Sequence, residues 1–286
     1  MTKPRYAFAA VLALSCAGRG ADDVREVHTY KSVDSRDLKL YVTVPPRRVE
    51  RPSPAIVFFH GGGWTGGRPG QFDRHAAHFA SRGMVAVQVE YRLLRPDGAE
   101  PPLICVQDAK SAMRWVRARS ARFDIDPARI ASAGGSAGGH LAAFCGMMDG
   151  LDDPRDDLSV PARSNAMILF NPVFDNGPDG YGHKLIGGRY PAYSPFHNVS
   201  ASTPPAIVFV GSEDKLLPVA TVTEFCEKSR RAGVRCEARV YDGQGHGFFN
   251  YRPNGENTYF SRTLEAADDF LVSLGWLPKR GGSPNR

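Results

Sequence analysis

Five short, nearly unbroken apolar runs constrain this chain more than any other feature: Ala55 to Phe59, Met84 to Val89, Ile130 to Gly134, Met167 to Phe170 and Ala206 to Val210. Each has the length of a strand, and helical spacing fills the intervals. A strand that is apolar on both faces is buried on both, as in a parallel sheet with helices packed above and below. Parallel neighbours also need crossovers long enough to hold a helix. An alternating pair, His28 to Val33 and Leu38 to Val44, precedes these runs, and Cys236 to Tyr241 follows them. The pattern predicts an α/β fold, a mostly parallel sheet of about eight strands with helices on both faces.

The helical intervals carry their own marks. One helix is predicted around Phe72 to Ser81. In the next, Leu103 to Arg119, residues Leu103, Val106, Ala109, Met113 and Val116 recur at spacings of three and four behind Pro101 and Pro102, with Lys110, Arg114 and Arg117 expected on the opposite, solvent side. Further helices are predicted from Ala137 and from Pro218, the latter closed by Gly233. The last carries the stripe Leu264, Ala267, Leu271 and Leu274 and ends before Gly275. The segment from Asn171 to Pro205 breaks the alternation. It is rich in Gly, Pro and aromatics, and it is longer than a simple connection needs.

With 286 residues, no internal repeat and no interdomain linker, one domain over 21–278 is expected, followed by a flexible tail at 279–286. The charge balance of 36 Lys+Arg against 30 Asp+Glu leaves +6, with no dense basic block interleaved with aromatics, so nucleic-acid binding is disfavoured. Residues 1–20 have the layout of a signal peptide: Lys3 and Arg5, an apolar run from Tyr6 to Cys16, then small residues suited to cleavage after Ala17, Gly18 or Gly20. The run is about half of what a membrane-spanning helix needs. Export to the periplasm or medium is expected, with lipidation at Cys16 the weaker alternative because Ala13 fits that signal poorly. Cys105, Cys145, Cys226 and Cys236 form no CxxC pair or zinc-spaced cluster, so no metal is expected. Cys226 and Cys236 are close enough in sequence to bridge, although a pair of buried thiols is the competing fate.

Two glycine-rich turns at strand ends carry the chemistry. GGSAGGH, Gly134 to His140, follows the strand IASAG and opens a helix. Small neighbours permit an abrupt strand-to-helix turn, which projects Ser136 from its tip and aims the helix N-terminus at the same place. HGGGW, His60 to Trp64, follows AIVFF, and its glycines leave backbone N–H groups free to bind an oxygen that gains charge. GxxxxGK[ST] is absent, so a phosphate cradle of that type is disfavoured.

A serine hydroxyl needs a base, and the base needs a carboxylate to orient it. His246 lies in the glycine-rich GQGHGF after one strand, and Asp214 lies in GSEDKLLP after another. Glu213 is an alternative acid, whereas Asp242 is disfavoured at its strand end. His60 is expected to order its loop, and His140 to be packed or to edge the pocket. The order Ser136, Asp214, His246 is that of the α/β-hydrolases.

HGGGW, YRL at Tyr91 to Leu93, QDAKSAMRWVR, FDIDPARI and GGSAGGH together resemble the α/β-hydrolase esterases, in particular the acetyl-esterase group related to hormone-sensitive lipase and to bacterial feruloyl and acetylxylan esterases. The resemblance covers Ala55 to the last helix. It implies a serine carboxylesterase with Ser136 as nucleophile, His246 as base and Asp214 as orienting acid. The same likeness assigns the oxyanion hole to Gly62, Gly63 and the Ala137 N–H. It also implies no cofactor, and a small acyl ester or acylated polysaccharide as substrate. Two departures stand out: the N-terminal cap of hormone-sensitive-lipase relatives is missing, which implies an open pocket, and Trp64 replaces a smaller aromatic, as pocket wall or as core. Tyr181, Tyr190, Tyr193 and Phe196 either line an alcohol-side subsite or pack over the sheet. A kynurenine-formamidase-like amidase and a noncatalytic binding module are the rival readings.

Overall fold

The apolar runs become strands because each buries both faces, and the computed structural model, which describes residues 25–46 and 49–280, gathers them into one sheet. The strands are β1 (Arg25–Val33), β2 (Arg36–Thr43), β3 (Ser53–Phe59), β4 (Val85–Val89), β5 (Ile125–Gly135), β6 (Ala166–Phe170), β7 (Ala206–Gly211) and β8 (Cys236–Tyr241). Their spatial order is β1-β2-β4-β3-β5-β6-β7-β8. The β1–β2 and β2–β4 pairings are antiparallel, and every other pairing is parallel. The expected leader, with Cys16, lies outside the described residues, as do residues 281–286 of the expected tail.

The helices are α1 (Asp73–Ser81), α2 (Leu103–Ala118), α3 (Ser120–Phe123), α4 (Ala137–Met147), α5 (His183–Ile186), α6 (Val219–Arg231) and α7 (Thr258–Ser273). Alternate strand residues serve opposite layers. Val57, Phe59, Val87, Leu169 and Val208 pack with α2, α4 and α6. Ile56, Phe58, Ala131, Ile168 and Phe209 pack with α1 and α7. Helix α4 is buried along its whole length, so it has no polar stripe at all.

Three expectations change in detail. The helix predicted from Phe72 starts at Asp73, because Pro69 opens a short 3-10 turn that holds Phe72. Strand β5 starts earlier than predicted, with Ile125 paired to Ser53. Lys110 was expected to face solvent, yet it is 4% exposed: residues 149–165 cover that side of α2, where Lys110 Nζ donates to the Gly150 carbonyl at 2.6 Å and pairs with Asp152 at 2.8 Å. Strand β8 is an exposed edge of the sheet. The cysteine alternative resolves as a bridge, Cys226–Cys236, that ties α6 to β8, while Cys105 and Cys145 are buried thiols.

The parallel register aligns the carboxyl ends. Phe59 pairs with Gly134, Gly135 with Phe170, Phe170 with Phe209, and Gly211 with Tyr241. Chain segments leaving these residues therefore emerge side by side at one rim, the place where open α/β sheets collect ligands.

Candidate active site

The turn after β5 is built by close approach of three backbones. A Cβ on Gly138 would lie 2.0 Å from the Phe59 carbonyl oxygen and 2.4 Å from that of His60, and one on Gly134 would lie 2.3 Å from the Gly138 oxygen. Only glycine fits at either position. The residue between them, Ser136, adopts φ 55° and ψ −121°, a left-handed conformation that a non-glycine residue enters at a cost. Its amide donates to the Phe170 carbonyl at 3.0 Å, while its carbonyl accepts from His140 and Val173. Ser136 thus stands at the N-terminus of α4, where helix amides and the positive dipole end converge.

Asp214, beyond β7, has a fully buried side chain; its Oδ1 accepts from the Leu216 and Leu217 amides at 2.9 and 3.1 Å. His246 is held between glycines in the loop after β8. Its Nδ1 donates to Asp214 at 2.8 Å to Oδ2 and 3.0 Å to Oδ1, which leaves Nε2 to accept from the Ser136 hydroxyl at 2.9 Å. Residues 110 apart in sequence meet here. Glu213 is exposed, and Asp242 instead accepts from Ser212 at 3.2 Å. Neither competes for the imidazole.

The glycine loop turns above Ser136. Gly62 and Gly63 have φ of 118° and 61°, and their amides make no hydrogen bond to any described residue, whereas the neighbouring Gly61 amide donates to Gln71 Oε1 at 2.6 Å. A Cβ on Gly61 would lie 3.4 Å from the Ser136 Cβ, so the loop and the serine are adjacent. His60 orders the loop: Nδ1 donates to the Gly61 carbonyl at 2.8 Å, the ring stacks on Tyr91 at 4.2 Å, and burial lowers its pKa. Tyr91 Oη completes this brace by donating to the His60 carbonyl at 2.7 Å.

Trp64 and His140, considered for the pocket edge, are corrected by their burial. Both are 0% exposed. The Trp64 ring meets His140 edge-on at 5.2 Å, and His140 Nε2 donates to the Tyr193 carbonyl at 2.8 Å. Burial drives the His140 pKa down to about 4. These two rings pack beneath the loop and offer no surface to a ligand. In the long segment, Tyr193 and Phe196 are likewise buried, and Phe174, stacked on Phe225 at 4.5 Å, anchors it to α6. Tyr181 reaches the glycine loop, with its hydroxyl 3.0 Å from where a Gly63 Cβ would stand.

Three residues at the site escaped sequence reading: Gln71, Asn171 and Asn250. The available signal was weak, an asparagine directly after the strand MILF. Among the described residues no group of three or more His, Cys, Asp or Glu is placed to hold a metal, and no helix is long and apolar enough to cross a membrane. A cavity of about 510 Å³ between β8 and α7, lined by Arg239, Tyr241 and Arg262 among others, includes none of Ser136, Asp214 and His246, so the hydrogen-bonded array rather than cavity size marks the site.

Residues 40–177 match the family model described as BD-FAE, and residues 181–272 match the dienelactone hydrolase family. Carboxylesterase NlhH of Mycobacterium tuberculosis is 30% identical over 244 residues, covering 75% of this chain and 72% of the relative. The chain belongs to the α/β-hydrolase esterase/lipase family. A structure of Thermogutta terrifontis esterase 2 phosphoramylated by tabun matches this hydrolase with a TM-score of 0.83 at 43% identity, covering 90% of this chain and 97% of that one. The same esterase has been solved with propionate and with butyrate bound. An acetylxylan esterase of Xylanibacter ruminicola is 29% identical over 250 residues, covering 80% of this chain and 46% of the relative. The chain spans about half the length of that enzyme and of several other curated relatives it matches.

Proposed function

We propose that this hydrolase is a carboxylesterase that removes short acyl groups, acetyl or feruloyl, from carbohydrate through a Ser-His-Asp acyl-enzyme cycle. The observation that carries the reading is the continuous array Asp214–His246–Ser136 beside two unengaged glycine amides. His246 Nε2 takes the Ser136 proton as Oγ bonds to the ester carbonyl carbon. The carbonyl oxygen becomes an oxyanion, received by the amides of Gly62, Gly63 and Ala137; one such donor is typically worth about 10²- to 10³-fold in rate. Collapse of the intermediate breaks the ester C–O bond, and the imidazolium hands its proton to the departing alcohol. Water then repeats the sequence on the acyl-enzyme, with His246 as base, and the acid is released. Asp214 holds the imidazole in the tautomer this requires.

Short-chain preference is supported by the propionate and butyrate complexes of the T. terrifontis enzyme, and the carbohydrate side by the acetylxylan esterase relative. The test is hydrolysis of p-nitrophenyl esters from acetate to long chains by wild type and Ser136→Ala, followed by acetate release from acetylated xylan. Full activity in Ser136→Ala refutes the nucleophile; cleavage of long chains alone replaces the carbohydrate reading with a lipase.

The protein is further proposed to be exported by cleavage of residues 1–20. The Cys226–Cys236 bridge supports this, since such bonds persist in oxidising compartments. Secreted material whose N-terminal sequence began at Met1 would overturn it.

A further inference from the structure

The reaction described above leaves one contact at the base unused. Asn171, the first residue beyond β6, is fully buried, and its own amide donates to the Phe209 carbonyl at 2.7 Å. Its Nδ2 lies 3.2 Å from His246 Nε2, the nitrogen that also faces Ser136 Oγ. Its Oδ1 accepts from the Gly247 amide at 3.3 Å. A backbone N–H can donate only to the oxygen end of a carboxamide, so the Gly247 contact decides which end faces the imidazole. With Nδ1–H given to Asp214, the Nε2 lone pair is met by two donors, the serine hydroxyl and the asparagine NH₂. The backbone φ of Asn171 is 35°, in the region where asparagine is the best tolerated residue after glycine.

We propose that Asn171 is a positioning residue that keeps a hydrogen-bond donor, and no acceptor, against the reacting nitrogen of His246; this rests on the esterase reading. Its role follows from the proton's path. After attack, Nε2 carries the proton from Ser136, and that proton must pass to the oxygen of the departing alcohol. A carbonyl or carboxylate oxygen at 3.2 Å would compete for it. An NH₂ group cannot accept it, so the competition is left to the oxygens of Ser136 and of the departing alcohol. The same side chain, through Gly247, ties the loop carrying the base to the end of β6.

Two substitutions separate the donor from the tether. Asn171→Asp preserves shape, backbone tolerance and the acceptor for Gly247, but sets an oxygen against Nε2. Asn171→Ala removes both contacts. With p-nitrophenyl acetate, Asn171→Asp is expected to lower kcat about 10- to 100-fold with KM changed less than about 3-fold, and to be the more damaged of the two. A residue that only anchors the loop predicts the reverse order. Wild-type kcat in Asn171→Asp, a loss carried by KM, or a greater loss in Asn171→Ala overturns the proposal. Should the aspartate variant not fold by circular dichroism, Asn171→Leu, of similar volume and without either polar atom, is expected to lose about 3- to 10-fold in kcat at constant KM, and unchanged kcat refutes the role. Wild type and Ser136→Ala run alongside: an inactive wild type or an active alanine variant counts against the esterase reading instead.

Discussion

Gln71 donates its side-chain amide to Asn250 Oδ1 at 2.9 Å, and this contact joins the glycine loop to the loop that carries His246. On one side Gln71 Oε1 takes the Gly61 amide at 2.6 Å; on the other Asn250 Nδ2 donates to the Gly247 carbonyl at 2.8 Å. The relay fixes Gly61 while leaving the next two amides unengaged, so the glycine loop is tied to the His246 loop through side chains that make no hydrogen bond to Ser136.

Because both side chains belong to one relay, their effects should not add. Gln71→Leu and Asn250→Ala are each expected to lower kcat about 10-fold with p-nitrophenyl acetate, and the double variant to fall little further. A double loss equal to the product of the single losses would show that the two act independently, and kcat equal to wild type in Gln71→Leu would dismiss the relay.

Much of this site was legible because its parts are local. The elbow requires glycines at fixed offsets around Ser136, and Asp214 and His246 each follow a recognisable strand, so their meeting at one rim could be expected from the parallel order of the strands. Trp64 and His140 were harder to place, because a tryptophan or histidine beside a glycine loop has the same sequence whether it faces a ligand or the core. Burial, a tertiary quantity, decided for the core. Lys110 shows the same limit: helical spacing put it on the polar side of α2, but a loop 40 residues away supplies its carbonyl partner. Asn171 had no periodic signature at all, since its partners lie in the base loop and on a neighbouring strand.

The glycine requirement is testable away from catalysis. Gly138→Ala places a methyl group 2.0 Å from a backbone oxygen of β3, which no side-chain movement relieves, and is expected to yield no soluble folded protein. Gly188→Ala is the control, because nothing lies within 4 Å of its added carbon. Soluble yield and far-ultraviolet circular dichroism read the comparison, and a folded, stable Gly138→Ala protein would contradict the packing of β3, β5 and α4.

The Cys226–Cys236 bridge closes a loop of sequence separation 10, for which chain-entropy arguments give about 2 to 3 kcal/mol. Cys226→Ala/Cys236→Ala is therefore expected to lower the unfolding free energy from urea titration by that amount, moving the midpoint down, while retaining activity at room temperature, since neither sulfur contacts the site. An unchanged midpoint under non-reducing conditions would argue that the bridge contributes nothing to the folded state.

Acid sensitivity should come first from two buried imidazoles. His75, enclosed by Phe58, Phe72, Phe170 and Phe260, has no hydrogen-bond partner on either nitrogen among the described residues, and burial lowers its pKa from 6.5 to about 3. His140 is lowered to about 4 by the same cause. Both folded values lie below the unfolded one, so the unfolded chain binds protons that the folded chain refuses. Their contribution is complete above pH 6.5 and declines as the pH falls, by about 1.4 kcal/mol per pH unit for each group. Between pH 7 and 5 each histidine then costs about 2 kcal/mol. His75→Leu removes one titrating group and one unsatisfied polar side chain. Urea unfolding at pH 7, 6 and 5 should show the variant losing about 2 kcal/mol less than wild type over that interval. Parallel pH dependences for the two proteins would mean that His75 is not held neutral by the fold.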